Sequence, residues 1–353
     1  MQKRSNDGLR NFFSKYRSGT GAVMLGAFVF FIVYVNSLND LTPPLILAQP
    51  QDSSVVINNI KIPPLTFCGE PVPTSDPEVR RRLTEEFLHI TFNQSPFLIL
   101  NKKAHRWFPM IEPILKKNGV PDDFKYVMVI ESGLINSPDQ PKAGGFWQLM
   151  PPVARQYGLE VNDAVDERFN VTLETEAACR CIKDAYAHYK NWTLAVAAYD
   201  LGTGGLDAQI GKQDATDYYH LKLNEETASY IYRILAFKEL LTEPEYYGYK
   251  LKKNSLYSPI PTHQVKVDST IHDLGAFAVS QGSDLQTLKW LNPWILGNSL
   301  PNDSAKTYCI LFPSKGFVIY GMNEDYNPND NDSVILDSVI VKTDTLISDS
   351  ARL

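Results

Sequence analysis

The sequence predicts a mainly α chain: a helical domain, a small β-α-α-β module after it and an apolar N-terminal helix before it. Three observations carry this. Between Asp76 and Thr242 apolar residues recur at helical spacing, punctuated by Gly119, Gly133, Gly158 and Gly202, with no sustained strand-like alternation. From Thr262 to Phe312 two short β-like runs flank two short helical ones. From Ser18 to Asn39 there is no charged residue. With 353 residues, 44% hydrophobic and 21% charged, the chain has room for one large or two modest domains with ordinary cores.

Residues 1–18 are basic: Lys3, Arg4, Arg10, Lys15 and Arg17 stand against Asp7. Residues 19–38 read as a transmembrane anchor, since Ala22–Val35 is almost wholly apolar and a helix rises about 1.5 Å per residue. The basic flank places the N-terminus in the cytoplasm and the rest outside. A cleaved signal peptide is the alternative, though Val35, Asn36 and Ser37 make a poor small-residue cleavage site. The formal charge of the whole chain is −6, so the chain beyond the basic segment is acidic and offers no patch for nucleic acid.

Residues 39–75 are rich in Pro, Gln, Ser and Asn and read as a Pro-rich spacer. Asp76–Pro77 is a good helix start, with Pro at the first helical position. Helices are expected over 77–92, 96–103, 104–117, 122–132, 149–157, 172–189, 192–200 and 225–242, within a domain of residues 76–245. The module of residues 255–316 is built from Thr262–Val267, a helix on Ile271, Leu274, Phe277 and Ala278, a second on Leu285, Leu288 and Leu291, and Tyr308–Phe312. Residues 317–353 are rich in Asp, Asn and Ser and read as a disordered acidic tail. The four cysteines, Cys68, Cys179, Cys181 and Cys309, allow three pairings. A bridge from Cys68 to Cys179 or Cys181 and free buried thiols both stay open.

Glu131 is the residue that asks for a chemical explanation. Phe124, Val127, Met128 and Glu131 fall at i, i+3, i+4 and i+7, on one helix face. A carboxyl on an apolar stripe is desolvated, and the negative end of the helix dipole also disfavours its anion, so its pKa rises. A carboxyl protonated near neutral pH is what a general acid needs. The structural alternative is a carboxylate reaching from a helix end into water. Further clusters accompany it: Ser132; Gly144-Gly145-Phe146-Trp147-Gln148-Leu149-Met150-Pro151; Ala197-Ala198-Tyr199-Asp200-Leu201-Gly202; and Glu226-Thr227-Ala228-Ser229-Tyr230. Each alone has a structural reading as a cap, a turn or a buried aromatic. No spacing of His or Cys suggests a metal site, and no cofactor is implied.

In their joint order, Glu131-Ser132, Gly145-Phe146-Trp147-Gln148, Ala198-Tyr199-Asp200 and Tyr230 resemble the four motifs of lytic transglycosylases with the goose-type lysozyme fold, glycoside hydrolase family twenty-three. The membrane-bound transglycosylase D type is the most similar subgroup. Asn118–Tyr126 and Asp166-Glu167-Arg168-Phe169-Asn170 resemble that subgroup too. The β-α-α-β module, with Leu288-Lys289-Trp290-Leu291-Asn292-Pro293-Trp294, resembles LysM modules, which bind N-acetylglucosamine-containing glycans. The resemblance implies a lysozyme-like helical catalytic domain that cleaves the β-1,4 bond between N-acetylmuramic acid and N-acetylglucosamine in peptidoglycan, leaving a 1,6-anhydro ring.

The resemblance makes Glu131 both the acid and the later base, helped by the substrate's acetamido group. It implies substrate binding by Ser132, Gly145, Gln148, Met150, Tyr199, Asp200 and Tyr230. It further implies glycan strands as the partner, and a Gram-negative envelope with the domain in the periplasm, held at the inner membrane or secreted after cleavage. No protein partner is indicated. Three departures stand out: Asp200 replaces the usual Asn, Leu134 replaces an aromatic, and the loop Pro138–Ala143 contains Lys142 in place of a small-residue run. Asp200 motivates an alternative, a catalytically weak wall-binding or scaffold protein. Ionised and close to Glu131, it would raise the pKa of that acid further.

Overall fold

The computed structural model describes residues 62–314, apart from 93, 140–141, 214, 216, 250 and 252–254. The expected basic segment, anchor, first part of the spacer and acidic tail lie outside the described residues. The described part is mainly helical.

The chain enters through a two-residue hairpin, β1 (Thr66–Phe67) and β2 (Glu70–Pro71). Its turn, Cys68–Gly69, has φ of 52° and 83°, the paired positive values of a turn matching strand twist. Here the spacer expectation is corrected. Leu65, Phe67 and Val72 are buried in the helical core, and the Phe67 ring lies 5.4 Å from that of Phe124. Apolar residues set among prolines serve as core anchors. All four cysteines are free, which settles the choice left open by their number.

Helix α1 (Pro77–Phe92) starts where Asp76 Oδ1 accepts the N–H groups of Glu78 (2.8 Å) and Val79 (3.1 Å). Helix α2 (Gln94–Asn118) is one continuous element where two were expected. It holds Pro109 and Pro113 in its interior, both on an exposed face, where the carbonyls deprived of donors can meet water. After a 3₁₀ turn (Asp122–Phe124), α3 (Lys125–Ser132) buries Val127 and Met128 completely and stops at Gly133, whose φ of 56° forms a left-handed cap. Helix α4 is short (Pro151–Gln156).

Asn170 caps α5 (Val171–Tyr189), and Asn191 caps α6 (Trp192–Leu201), accepting Leu194 N at 2.7 Å. A helix not anticipated, α7 (Thr203–Gln213), comes directly after it. Its Gly204, Gly205 and Gly211 read as loop in sequence, but fully buried Leu206 ties it down. Helix α8 (Glu225–Thr242) closes the domain, packed on α1, α3 and α6.

The second module pairs β3 (Thr262–Val267) antiparallel with β4 (Tyr308–Pro313), from Thr262↔Pro313 to Val267↔Tyr308. Helices α9 (Leu274–Ser280) and α10 (Leu285–Leu291) fill the connection, capped by Asp273 and Asp284. Asn292 is fully buried. It donates to Leu288 O and Leu311 O and accepts Leu311 N, each at 2.8 Å, so it ties the end of α10 to β4.

The module shares its core with Val165 and Phe169 of the helical domain. Asp166 N donates to Trp294 O (2.8 Å), and Lys306 Nζ meets Glu160 (2.9 Å) and Glu167 (2.5 Å). A cavity of about 270 Å³ opens at this seam, walled in part by Trp107, Trp290 and Trp294; Glu131 does not line it.

The entering hairpin also caps α6. Glu70 accepts Trp192 N (2.6 Å), Thr193 N (2.9 Å) and Thr193 Oγ1 (2.7 Å), a carboxylate at the positive end of a helix. Glu70→Ala is expected to cost about 1–2 kcal/mol, seen as a lower midpoint in denaturant unfolding, with Glu70→Gln losing less.

Candidate active site

Glu131 occupies the last turn of α3, half-buried, with the stripe beneath it fully in the core. The hydroxyl of Tyr230, on α8, donates to its Oε1. Burial pushes the Glu131 carboxyl up to about 7. The Tyr230 hydrogen bond opposes this, since it favours the anion, while the charges of Asp200 and Glu226 add to it.

Ser132 is the next residue, but its hydroxyl is spent on its own helix end. Oγ donates to Met128 O (2.9 Å) and accepts Leu134 N (3.1 Å). That bond holds Leu134 at φ 55°, with its side chain buried where an aromatic was the usual occupant.

The segment Gly144–Leu149 is a tight turn closed by reciprocal backbone bonds, Gly144 N to Leu149 O (3.2 Å) and Leu149 N to Gly144 O (3.1 Å). Gly145 is obligatory. Its φ is 76°, and a Cβ there would lie 1.8 Å from Arg168 O and 2.0 Å from Glu174 Oε2. Gln148 also has positive φ, 48°, and its Nε2 donates back to Gly145 O at 2.7 Å. The amide therefore braces the turn, and its Oε1 has no hydrogen-bond partner among the described residues. Met150, next in line, is 47% exposed, a large apolar side chain facing solvent at the start of α4.

Two buried ionisable side chains, neither assigned a role from sequence, hold this turn. Arg168 pairs with Asp166 (2.6 Å) and donates through Nη1 to Lys142 O (2.7 Å) and Leu149 O (3.1 Å). The Lys142 side chain is exposed; only its carbonyl takes part. Glu174, fully buried on α5, receives Trp147 N on Oε2 at 3.3 Å. The Trp147 indole donates to Thr175 Oγ1 at 2.9 Å. One sequence signal could have found Glu174: with Ala177, Ala178 and Cys181 it repeats the i, i+3, i+4, i+7 pattern that singled out Glu131.

Tyr199, on α6, donates to Trp147 O at 2.6 Å, and burial raises its phenol well above the usual range. Asp200 is its neighbour in the chain. Burial raises the Asp200 carboxyl, against a hydrogen bond from Thr227 and the positive charge of Arg233, which lower it. Thus Glu131, Tyr199, Asp200 and Tyr230 converge electrostatically, with Gln148, Gly145 and Ser132 in the supporting backbone.

Comparison with known proteins places this geometry. Residues 108–222 match the transglycosylase SLT domain, and residues 263–316 match the soluble lytic transglycosylase C-terminal LysM-like domain. The first match includes Glu131, Gln148, Tyr199 and Asp200 and ends before Tyr230. Over 240 residues the chain is 26% identical to "Membrane-bound lytic murein transglycosylase D" of Escherichia coli strain K12, covering 66% of this chain and 52% of that protein. The same figures hold for the protein of that name in Escherichia coli O6:H1. The chain spans about half the length of these curated relatives. It carries a transglycosylase SLT domain joined to a LysM-like domain of the soluble lytic transglycosylase C-terminal type.

Proposed function

We propose that this chain is a peptidoglycan lytic transglycosylase. It cleaves the β-1,4 bond between N-acetylmuramic acid and N-acetylglucosamine and closes a 1,6-anhydro ring on the muramic acid. The observation that carries the reading is a half-buried Glu131, raised to about 7, with a tyrosine hydroxyl on one oxygen.

Protonated, Glu131 gives its proton to the bridging oxygen as the glycosidic bond breaks. The oxocarbenium-like centre that develops is stabilised by the substrate's own acetamido group. Glu131, now a carboxylate, accepts the proton of the C6 hydroxyl as that oxygen attacks C1. One group acts as acid and then as base, so its pKa must sit close to the working pH. Tyr230 holds Oε1, and Oε2, which has no protein partner among the described residues, is the oxygen that meets substrate.

Gln148 Oε1 offers an acceptor to a sugar hydroxyl or amide. Exposed Met150 offers an apolar contact to a ring face. Ser132 and Gly145 shape the backbone around the acid, and Tyr199 and Asp200 wall the cleft. This assignment takes residues 76–245 as the catalytic domain and residues 255–316 as a glycan-binding module.

The basic flank and uncharged run at the N-terminus, together with the membrane-bound relative, support anchoring in the inner membrane with the domain in the periplasm. Asp200 favours the second reading, a wall-binding protein of weak activity, because an ionised carboxylate cannot donate as an amide does.

Digesting sacculi with the soluble fragment from residue 40 onward should release anhydro-ended muropeptides, identified by mass. Glu131→Gln should lower that release by about 10²–10⁴-fold. Binding of both proteins without release from either would instead establish the scaffold reading. Reducing-end products alone would indicate hydrolysis.

The pH profile gives a separate check. Glu131 must be protonated to act first as acid, so kcat/KM should fall as pH rises through about 7. Asp200→Asn removes a charge that raises this pKa, so the basic limb should move to lower pH. A Tyr230→Phe substitution removes the bond that lowers the pKa, so the limb should move to higher pH.

A further inference from the structure

We propose that Glu174 is a positioning residue for the site: its buried carboxyl fixes the Gly145–Gln148 turn and, through the Trp147 backbone, the hydroxyl of Tyr199. The proposal rests on the transglycosylase reading for its kinetic consequences and on geometry alone for its structural ones.

Trp147 is held on both sides of its backbone. Its N–H goes to Glu174 Oε2 (3.3 Å) and its carbonyl takes Tyr199 OH (2.6 Å). The neighbouring N–H of Phe146 also faces the carboxyl. Two backbone donors in a fully buried turn need an acceptor, and leaving them without one costs their desolvation. Among the described residues no main-chain carbonyl fills that role, and three of the turn's own carbonyls are directed elsewhere. Gly145 O receives Gln148, Gly144 O receives Leu149 N, and Trp147 O receives Tyr199. Glu174, reaching in from α5, supplies the missing acceptor.

The fit is close enough to exclude any side chain at position 145, whose Cβ would fall 2.0 Å from Oε2. Glu174 and the glycine are therefore one device. An apolar residue at 174 could fill the same volume but not accept the bonds.

The surroundings oppose ionisation of this carboxyl. Among the described residues Oε1 has no hydrogen-bond partner, and the carboxyl is completely buried. The groups that face it are Asp166, whose charge opposes ionisation, and the Tyr199 phenol on α6. Burial raises the Glu174 carboxyl well above the usual range. A glutamine there keeps an acceptor oxygen and nearly the same volume, so the two side chains are equivalent as acceptors.

That equivalence gives the test. Full-length Glu174→Gln keeps volume and acceptor; Glu174→Met keeps volume alone. Hydrogen–deuterium exchange of the 144–149 segment should stay near wild type in Gln and speed up at least tenfold in Met, with α8 unchanged in both. On soluble glycan strands, kcat should remain within about threefold of wild type for Gln and fall at least tenfold for Met, with little change in KM. Unaltered exchange at 144–149 in Met would overturn the proposal, as would equal losses in Gln and Met. A wild-type protein that releases no anhydro product would remove the transglycosylase reading, and the exchange data would still decide the role of Glu174.

Discussion

The site depends on how far one carboxyl is withdrawn from water. An exposed glutamate titrates near 4.3 and holds almost no proton at neutral pH. A fully buried one without donors keeps its proton and cannot serve as a base. Glu131 lies between these limits because two effects oppose each other. The apolar stripe Phe124, Val127 and Met128 draws the end of α3 into the core, and Tyr230 returns a single hydrogen bond to the anion. The result, about 7, leaves both protonation states populated at neutral pH. For a reaction in which one group gives a proton and then takes one, this balance is the essential property. It requires α3 and α8 to be packed together, so the helical core sets the acidity of this carboxyl.

Around that carboxyl the structure spends buried charge on shape. Burying the Asp166–Arg168 pair would be costly if the pair stood alone, and such pairs are weak evidence for stability. Here Nη1 of the guanidinium is used as well, on Lys142 O and Leu149 O, so the pair holds the chain on both sides of the Gly144–Leu149 turn. The same segment serves the second module. Asp166 N bonds Trp294 O, Phe169 enters the LysM-like core, and Glu167 takes Lys306. Residues 160–169 are thus shared by the Gly144–Leu149 turn and the β-α-α-β module, which gives the two domains one common support.

Much of this was readable in the chain because it follows periodicity. The position of Glu131, the stops at Gly133 and Gly202, and both strands of the module obey local rules that tertiary packing did not override. The features that escaped were non-local. Leu65 and Phe67 sit among prolines, and only packing into the helical core, with Phe67 against Phe124, buries them. Helix α7 contains three glycines, and only the burial of Leu206 favours it as a helix. Pro109 and Pro113 are tolerated inside α2 because their face is open to water. Ser132 could be named but not its partners, since a hydroxyl can serve substrate or helix equally well. Glu174 carried the right spacing, yet its acceptor role exists only because Gly145 brings a backbone turn against it.

Asp200 is where local resemblance and physical chemistry pull apart. An amide at this position donates whatever the pH. A carboxylic acid donates only while protonated, and burial raises the Asp200 pKa, widening the range over which it does so. Thr227 and Arg233 act in the opposite sense, and Arg233 is itself drawn toward Glu86 at 3.5 Å. When Asp200 ionises it no longer imitates the amide, but its charge then opposes loss of the proton from Glu131. The substitution therefore exchanges a fixed donor for a group that donates only when protonated and acts on Glu131 through its charge when ionised. The departure is compatible with the single-acid mechanism and makes the site more sensitive to pH than an amide would.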